Sequence, residues 1–183
     1  MATTTASNTF LQRLIGAAAL DTAIYEEVEA DRTATTQAWV VVILSSLAAG
    51  FGARGFAGST IANMAFFSIV AMLAWGAWAL VTFEIGARLM PEPQTRSDVG
   101  ELLRVIGFST TPGFLFVFGA LPGLTVPVFA VTWVWMLLTM IVGVRQALDY
   151  RSTARAVAVC ALGWVLALAV AVVLGLLFAP TVH

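Results

Sequence analysis

The chain of 183 residues is long enough for one domain, and only 10% of its residues are charged while 60% are hydrophobic, against about 25% charged in an ordinary soluble domain. These values predict an all-α, polytopic integral membrane protein and exclude a soluble globular one, and the net charge of −1 offers no basic surface to nucleic acid. One cysteine, Cys160, and one histidine, His183, leave too few ligands for a disulfide, metal, haem or pigment site and no internal histidine for a catalytic triad, so neither a cofactor nor an enzymatic activity is predicted.

The N-terminal region, residues 1–36, is predicted to form a cytosolic amphipathic segment of short helices. Apolar residues first recur at helical spacing, Asp21 is then typical of an N-cap, and Tyr25 and Val28 share the apolar side of a second helix. The segment either lies on the membrane surface or packs as a cover on the end of the bundle. The acidic residues in the run EEVEAD favour the cover, because anionic lipid headgroups would repel them.

Five apolar stretches follow in residues 37–183, and a spanning helix needs about 20 predominantly apolar residues. The connections between them are short, which favours hairpins of consecutive helices and one compact five-helix transmembrane bundle. The predicted spans cover residues 37–53, 60–90, 101–121, 126–147 and 153–178.

The positions of the arginines predict the orientation of the bundle, because cytoplasmic loops carry an excess of positive charge. With the N-terminus inside and the C-terminus outside, only Arg54 lies on the outer side. The arginines on or near the inner side are then Arg13, Arg32, Arg88, Arg96, Arg104, Arg145, Arg151 and Arg155. The chain is therefore predicted to lie in a membrane with its N-terminus inside. Its cations are all arginine and it is rich in Ala and Gly, a composition that suggests a GC-rich bacterial genome and hence the bacterial cytoplasmic membrane.

Charged residues at the inner ends of the second and third spans form the first candidate site. Glu84 and Arg88 are four residues apart and share a helix face. Asp98, Glu101 and Arg104 open the third span, where Asp98 suits an N-cap. Ionisable groups at membrane depth are costly and usually paired. We interpret the group as an inner-side polar clamp of salt bridges between the two spans, and a proton or ion site is the alternative.

A helix break in the third span forms the second candidate site. Pro112 removes a backbone donor and clashes with the carbonyl four residues earlier, that of Phe108. The hydroxyls of Ser109, Thr110 and Thr111 can satisfy the freed backbone groups. Broken helices form substrate sites in many transporters, but they are also common as kinks that improve packing, and no acidic residue lies at that depth.

The pattern of the chain resembles bacterial members of the Yip family, the Ypt/Rab-interacting membrane proteins. The resemblance rests on the acidic DTAIYEEVEADRTATTQA before the spans, on GARLMPEPQTRSDVGELLRVIGFSTTPGFL after the second, and on GVRQALDYRSTARAVAV after the fourth. It implies five spans and a cytosolic N-terminus. Eukaryotic members bind prenylated Rab GTPases, whereas the arginine-only, Ala- and Gly-rich composition here suggests a GC-rich bacterial genome. The residues that match the family's marks are Glu84, Gly86, Glu101, Leu103, Arg104, Gly107, Pro112, Gly143 and Arg145.

Three functions are compatible with these features. The favoured one is a non-enzymatic scaffold or accessory subunit that contacts itself or another membrane protein through its helices within the lipid bilayer. Small residues at four-residue spacing support it: Ser46, Gly50, Ala167, Ala171 and Gly175. The second is a small transporter or channel that uses the broken third helix, and a closed bundle with Glu84 paired to an arginine would count against it. The third is a structural subunit of a photosynthetic or respiratory membrane complex.

Overall fold

A computed structural model describes residues 8–57 and 60–178, with side chains for 8–55 and 60–166. Over these residues the chain is helical and contains no strand, which confirms the predicted all-α membrane bundle. The helices are α1 (Phe10–Ala18), α2 (Thr22–Ala30), α3 (Ala34–Gly52), α4 (Arg54–Ala57), α5 (Ile61–Phe83) with a π-helical continuation (Glu84–Leu89), α6 (Val99–Ser109) with a 3-10 continuation (Thr111–Ala120), α7 (Thr125–Ala147) and α8 (Thr153–Phe178).

Four helical segments in the described part are long and apolar enough to cross a membrane, and they coincide with the first four predicted spans. They are Ala34–Gly52, Ile61–Leu89, Val99–Ala120 and Thr125–Ala147. The predicted fifth span is α8, which up to Leu166 forms a shorter apolar helix. The first span begins at Ala34, three residues before the predicted boundary, because the Asp31 carboxylate accepts bonds from the Thr33 backbone and hydroxyl and closes the preceding turn.

The third span is the central element of the bundle. In its most apolar window 72% of the residues are buried, compared with 17% for Ile61–Leu89 and 22% for Thr125–Ala147. It packs between α3 and α7, and glycines permit the close approach to α3: a Cβ at Gly107 would lie 2.8 Å from the Cβ of Ala38. The outer faces of α5 and α7 are correspondingly apolar and exposed, as expected of surfaces in contact with lipid.

The α3–α5 contact depends on a second glycine. A Cβ at Gly50 would overlap both the Ser68 hydroxyl and the Met64 carbonyl oxygen, so the two backbones meet here. Ser46, on the same predicted stripe of small residues, is also buried. The other stripe, Ala167, Ala171 and Gly175, lies outside the residues whose side chains are described.

The first two helices form a hairpin, here called the N-terminal hairpin (residues 10–30), that packs on α6 and α7. The chain reverses through Leu20, which has a φ of 65°, and the Asp21 carboxylate caps α2 by accepting from the Ala23 N–H at 3.0 Å, as predicted. Tyr25 is fully buried and its hydroxyl donates to the Ala17 carbonyl at 3.0 Å. The second helix is therefore packed against the bundle, which favours the cover alternative for α2.

Candidate functional site

The end of the bundle where α3, α6 and α8 begin and α5 and α7 end is called the arginine-rich end. The first predicted pair lies here on a π-helical turn. Arg88 Nη1 lies 2.9 Å from Glu84 Oε2, and the two side chains are 65% and 53% exposed. An exposed pair at this spacing contributes only a few tenths of a kcal/mol. Glu84 is thus paired to an arginine on its own helix and does not reach the third span.

The π-helical turn is held by a residue that the sequence analysis missed. The Tyr150 hydroxyl lies 2.8 Å from the Gly86 carbonyl oxygen and 2.9 Å from the Met90 carbonyl oxygen. A Cβ at Gly86 would overlap the end of the Leu148 side chain, which would have to move to accept a larger residue. The phenol has one proton, so it supplies a donor to one of these two carbonyls at a time. Its position just after the fourth span gave no sign of this role.

In the second predicted group, Asp98 and Glu101 cap α6 while Arg104 bonds to another helix. Asp98 and Glu101 form a capping box, in which the Asp98 carboxylate accepts from the Glu101 N–H at 2.8 Å and the Glu101 carboxylate accepts from the Asp98 N–H at 3.0 Å. Both carboxylates therefore satisfy the free N–H groups that open α6. Glu101 makes no salt bridge to Arg104 in the described part of the chain.

Arg104 joins α6 to the N-terminal hairpin. It is only 6% exposed, and its Nε lies 3.2 Å from the carbonyl oxygens of both Val28 and Glu29, while Nη2 donates to the Glu29 carbonyl. These carbonyls end α2 and have no partner within that helix, and a cation here also complements the helix dipole. The connection made by Arg104 thus runs between α2 and the third span. Among the described residues no salt bridge joins the second and third spans as the predicted clamp would require, since Glu84 pairs with Arg88 and Arg104 bonds to backbone carbonyls of α2.

A buried ion-pair network around Arg13 is the strongest electrostatic feature that the sequence analysis missed. Arg13 Nη2 lies 2.8 Å from Glu27 Oε1 and 2.7 Å from Asp31 Oδ2, and Nη1 donates to Gln37 Oε1 at 3.0 Å. The Thr33 hydroxyl and Arg13 lower the pKa of Asp31 to about 2. The network joins α1, α2 and the start of α3. The available signal was a lone cation in α1 that precedes an acidic run.

Two loops at the arginine-rich end are also tied together. The carboxylate of Glu92, in the loop before α6, lies 3.3 Å from Arg155 Nε and accepts from the Arg151 N–H at 3.2 Å. In the same loop the Thr95 hydroxyl donates to the Leu148 carbonyl at 2.8 Å. The charged loop MPEPQTRSD, which joins the Glu84–Arg88 pair to the start of the third span, is therefore fixed against the α7–α8 loop.

An acidic cleft opens between the N-terminal hairpin and the ends of α6 and α7. Its volume is ≈ 370 Å³ and its lining residues are Glu26, Glu29, Ala30, Glu101, Gln146 and Asp149. Partial burial, together with the charges of Asp149 and Glu101, raises the pKa of Glu29 to about 7, and Arg104 opposes this rise. In the described part of the chain no group of acidic, cysteine or histidine residues is arranged to hold a metal ion.

We expect Glu29→Gln to change the pH dependence of stability. The folded chain binds the Glu29 proton more tightly than the unfolded chain, whose ordinary pKa is 4.5. The free energy of unfolding of the unmodified chain should therefore fall as the pH rises from about 4.5 to about 7. The variant lacks this fall, so it should match the unmodified chain near pH 5 and exceed it near pH 8. Thermal unfolding between these values measures the difference.

Glu84→Gln is the control for this experiment, because Glu84 lies outside the acidic cleft. This variant should retain the pH dependence of the unmodified chain. An equal stability difference between Glu29→Gln and the unmodified chain at both pH values would contradict the assignment.

The predicted helix break lies where the α-helix changes to a 3-10 helix at Thr110. The Phe108 carbonyl, which Pro112 leaves without its usual donor, accepts from the Thr111 hydroxyl at 2.6 Å. The Thr110 hydroxyl donates to the Gly107 carbonyl at 2.7 Å. Ser109 bonds across to α7, where its carbonyl accepts from the Thr139 hydroxyl at 2.7 Å. The Ser109 hydroxyl donates to the Val105 carbonyl at 3.0 Å. The hydroxyls of Ser109, Thr110 and Thr111 thus all bond to backbone carbonyls of the third span.

The arrangement can therefore hold helices together, and it can take up a proton at Glu29. A family model described as the Yip1 domain matches residues 22–174. No curated protein and no solved structure gives a significant match.

Proposed function

Because the chain belongs to the Yip1-domain family of membrane proteins, whose model matches residues 22–174, we propose that it is a non-enzymatic scaffold or accessory subunit of a bacterial cytoplasmic membrane. It works through helix contacts within the bilayer, with itself or with another membrane protein. The observation that supports this proposal is the difference in burial between the spans. The third span is mostly buried in the bundle, while α5 exposes a long apolar surface.

The outward surface of α5 is continuous from one end of the span to the other. Its large side chains are strongly exposed: Phe66 61%, Ile69 53%, Leu73 65% and Leu80 55%. They recur at helical spacing on one face, and the same face ends at the exposed Glu84–Arg88 pair. A partner helix that lies along α5 would meet an apolar stripe within the bilayer and both signs of charge at its edge. Within lipid, polar contacts rather than apolar area give helix association its specificity, so the charges at the edge would fix the register of such a helix.

Two observations favour this function over a transporter. Glu84 is paired to Arg88 at 2.9 Å on an exposed turn, where the transport alternative needs it to face a cavity. The hydroxyls of the broken helix bond to backbone carbonyls or to neighbouring hydroxyls, as Ser45 and Thr110 do at 3.3 Å. A structural role in a photosynthetic or respiratory complex is a special case of the proposal, which the identity of the partner would decide.

The test is extraction of the chain in a lipid-preserving polymer, followed by native mass measurement and identification of every protein that co-purifies. We expect a defined complex from the unmodified chain. Leu73→Trp should weaken it, because a larger side chain disturbs the α5 surface without entering the core. Val131→Trp on α7, where Val131 is 61% exposed, is the matched control and should retain the complex.

A lone monomer from the unmodified chain would count against the proposal. Flux through proteoliposomes, compared between the unmodified chain and the Glu84→Gln and Thr111→Ala variants, would then test the transport alternative. Loss of the complex in both tryptophan variants would show that a surface other than α5 is involved.

A further inference from the structure

Helix α1 has two faces of opposite character. Its inward face holds Arg13, 2% exposed, and Ala17, which is fully buried. The ring of Phe10 packs edge-on against Phe108 of the third span, with 6.3 Å between centroids. Its outward face carries Leu11 and Ile15, which are 63% and 61% exposed. An exposed apolar face of this kind marks a surface that contacts lipid or another protein.

The C-terminal end of α1 lies against the middle of a spanning helix. The Trp135 indole N–H donates to the Ala18 carbonyl at 2.8 Å. Trp135 lies ten residues after the start of α7 and twelve before its end, which is about 15 to 18 Å from either end at the rise of an α-helix. The hydrocarbon core of a bilayer is about 30 Å thick. A helix that reaches this residue is therefore at the depth of the lipid chains.

The surface around this contact is itself apolar and exposed. Trp135 is 37% exposed, and beside it on α7 lie Val131, Val134 and Leu138, which are 61%, 60% and 47% exposed. These side chains belong to a span that is long and apolar enough to cross the membrane, so lipid is their surroundings. The outward face of α1 continues this surface.

The charges of the hairpin are arranged to suit such a position. Arg13 is the only charged residue of α1, and it points inward to Glu27 and Asp31, so α1 exposes no charge. The Ala18 carbonyl, which ends α1, has its partner in Trp135. Two carboxylates of the hairpin are exposed. Glu26 lies on α2 and lines the acidic cleft, and Asp21 lies in the turn, where it accepts from the Ala23 N–H. The charge and the terminal carbonyl of α1 are thus satisfied within the protein, as the hydrocarbon region requires, while the Asp21 carboxylate in the turn is held by the backbone N–H that it caps.

We propose that α1 is embedded in the bilayer beside α7, with Leu11 and Ile15 in contact with lipid acyl chains, while α2 presents its acidic cleft to water. The helix enters the membrane without crossing it, since its nine residues span only about 14 Å. The occupant of the apolar face is lipid, because the face is continuous with the lipid-facing surface of α7. The inference is independent of any protein partner.

Spin labels at single cysteines test this placement in proteoliposomes. In a Cys160→Ala background, labels at Leu11→Cys and Ile15→Cys report collision with oxygen, which concentrates among lipid chains, and with a water-soluble nickel chelate. Val134→Cys gives the lipid reference and Ala30→Cys, in the acidic cleft, the water reference. All four positions are exposed, so the labels should not disturb packing, and thermal unfolding checks that each variant is folded.

We expect both α1 labels to match Val134→Cys, with an oxygen-to-nickel ratio several-fold above that of Ala30→Cys. Collision rates with nickel as high as at Ala30→Cys would show that α1 lies in water and would overturn the proposal. Low collision rates with both reagents would show that protein, either a second copy or a partner, covers the face, and would overturn it as well.

Discussion

Replacement of Arg13 by methionine is expected to lower the free energy of unfolding by about 2–3 kcal/mol, less than for a fully buried ion pair, because the two carboxylates left behind are 24% and 27% exposed. The side chain is 3% exposed and lies within 2.8 Å of Glu27 and 2.7 Å of Asp31. Methionine preserves the length of the stem, so the loss is that of the charge. Both carboxylates would then be left partly buried without a cation. Equilibrium unfolding in mixed micelles, followed by circular dichroism, measures the change.

Arg88→Met provides the matched control, since it removes the same side chain from an exposed pair. The Arg88 and Glu84 side chains are 65% and 53% exposed, and exposed pairs contribute roughly 0–1 kcal/mol. If Arg13→Met cost no more than Arg88→Met, the network would not hold the N-terminal hairpin to the bundle. Glu27→Gln should show part of the Arg13→Met effect, because Arg13 retains Asp31.

The second large effect is expected from Gly50→Ala. A methyl group here would overlap the Ser68 hydroxyl and the Met64 carbonyl oxygen, and the latter is backbone that cannot rotate away. Overpacking of this kind costs about 1–3 kcal/mol, and the two helices would have to separate along the whole contact. The same micelle unfolding measurement applies, and a shifted crossing should also weaken the cross-link between cysteines introduced on α3 and α5.

Gly76→Ala is the control in the same bundle. A Cβ at Gly76 has no atom within 4 Å, so the variant should be neutral or should gain up to about 1 kcal/mol from the better helix propensity of alanine. Opposite signs for the two substitutions would be the expected pattern. Equal effects would mean that α3 and α5 do not meet at Gly50.

Local features of the sequence predicted the fold well. The spans follow from hydropathy alone, and the Asp21 cap, the Asp98 cap and the break at Pro112 depend on residues no more than four positions away. Such features are fixed by the chain's own backbone, so one sequence suffices to see them. The orientation in the membrane and the boundary between residues 36 and 37 stay predictions.

The connections between helices could not be predicted in the same way. The sequence predicted Arg104 as a member of a salt-bridge clamp, yet its guanidinium bonds to carbonyls 75 and 76 positions earlier in the chain. Every residue has a backbone carbonyl, so the sequence does not show which carbonyl accepts a given side chain. The same holds for Tyr150, whose two acceptors are also carbonyls. The sequence shows Arg13 as the one cation of α1. It does not show that Arg13 faces the core while Leu11 and Ile15 face outward.

The hydrogen bond between Trp135 and Ala18 can form only long after the N-terminal hairpin has been synthesised. The two residues are 117 positions apart, and at about 5–20 residues per second of synthesis the partner arrives roughly 6 to 23 s later. Glu26 must wait as long for Gln146, which lies 120 positions on. Until α6 is made and Arg104 can bond to the Val28 and Glu29 carbonyls, 76 and 75 positions earlier, the Arg13 network holds the hairpin to the start of α3 alone. The first helices of the chain are therefore among the last to reach their final place.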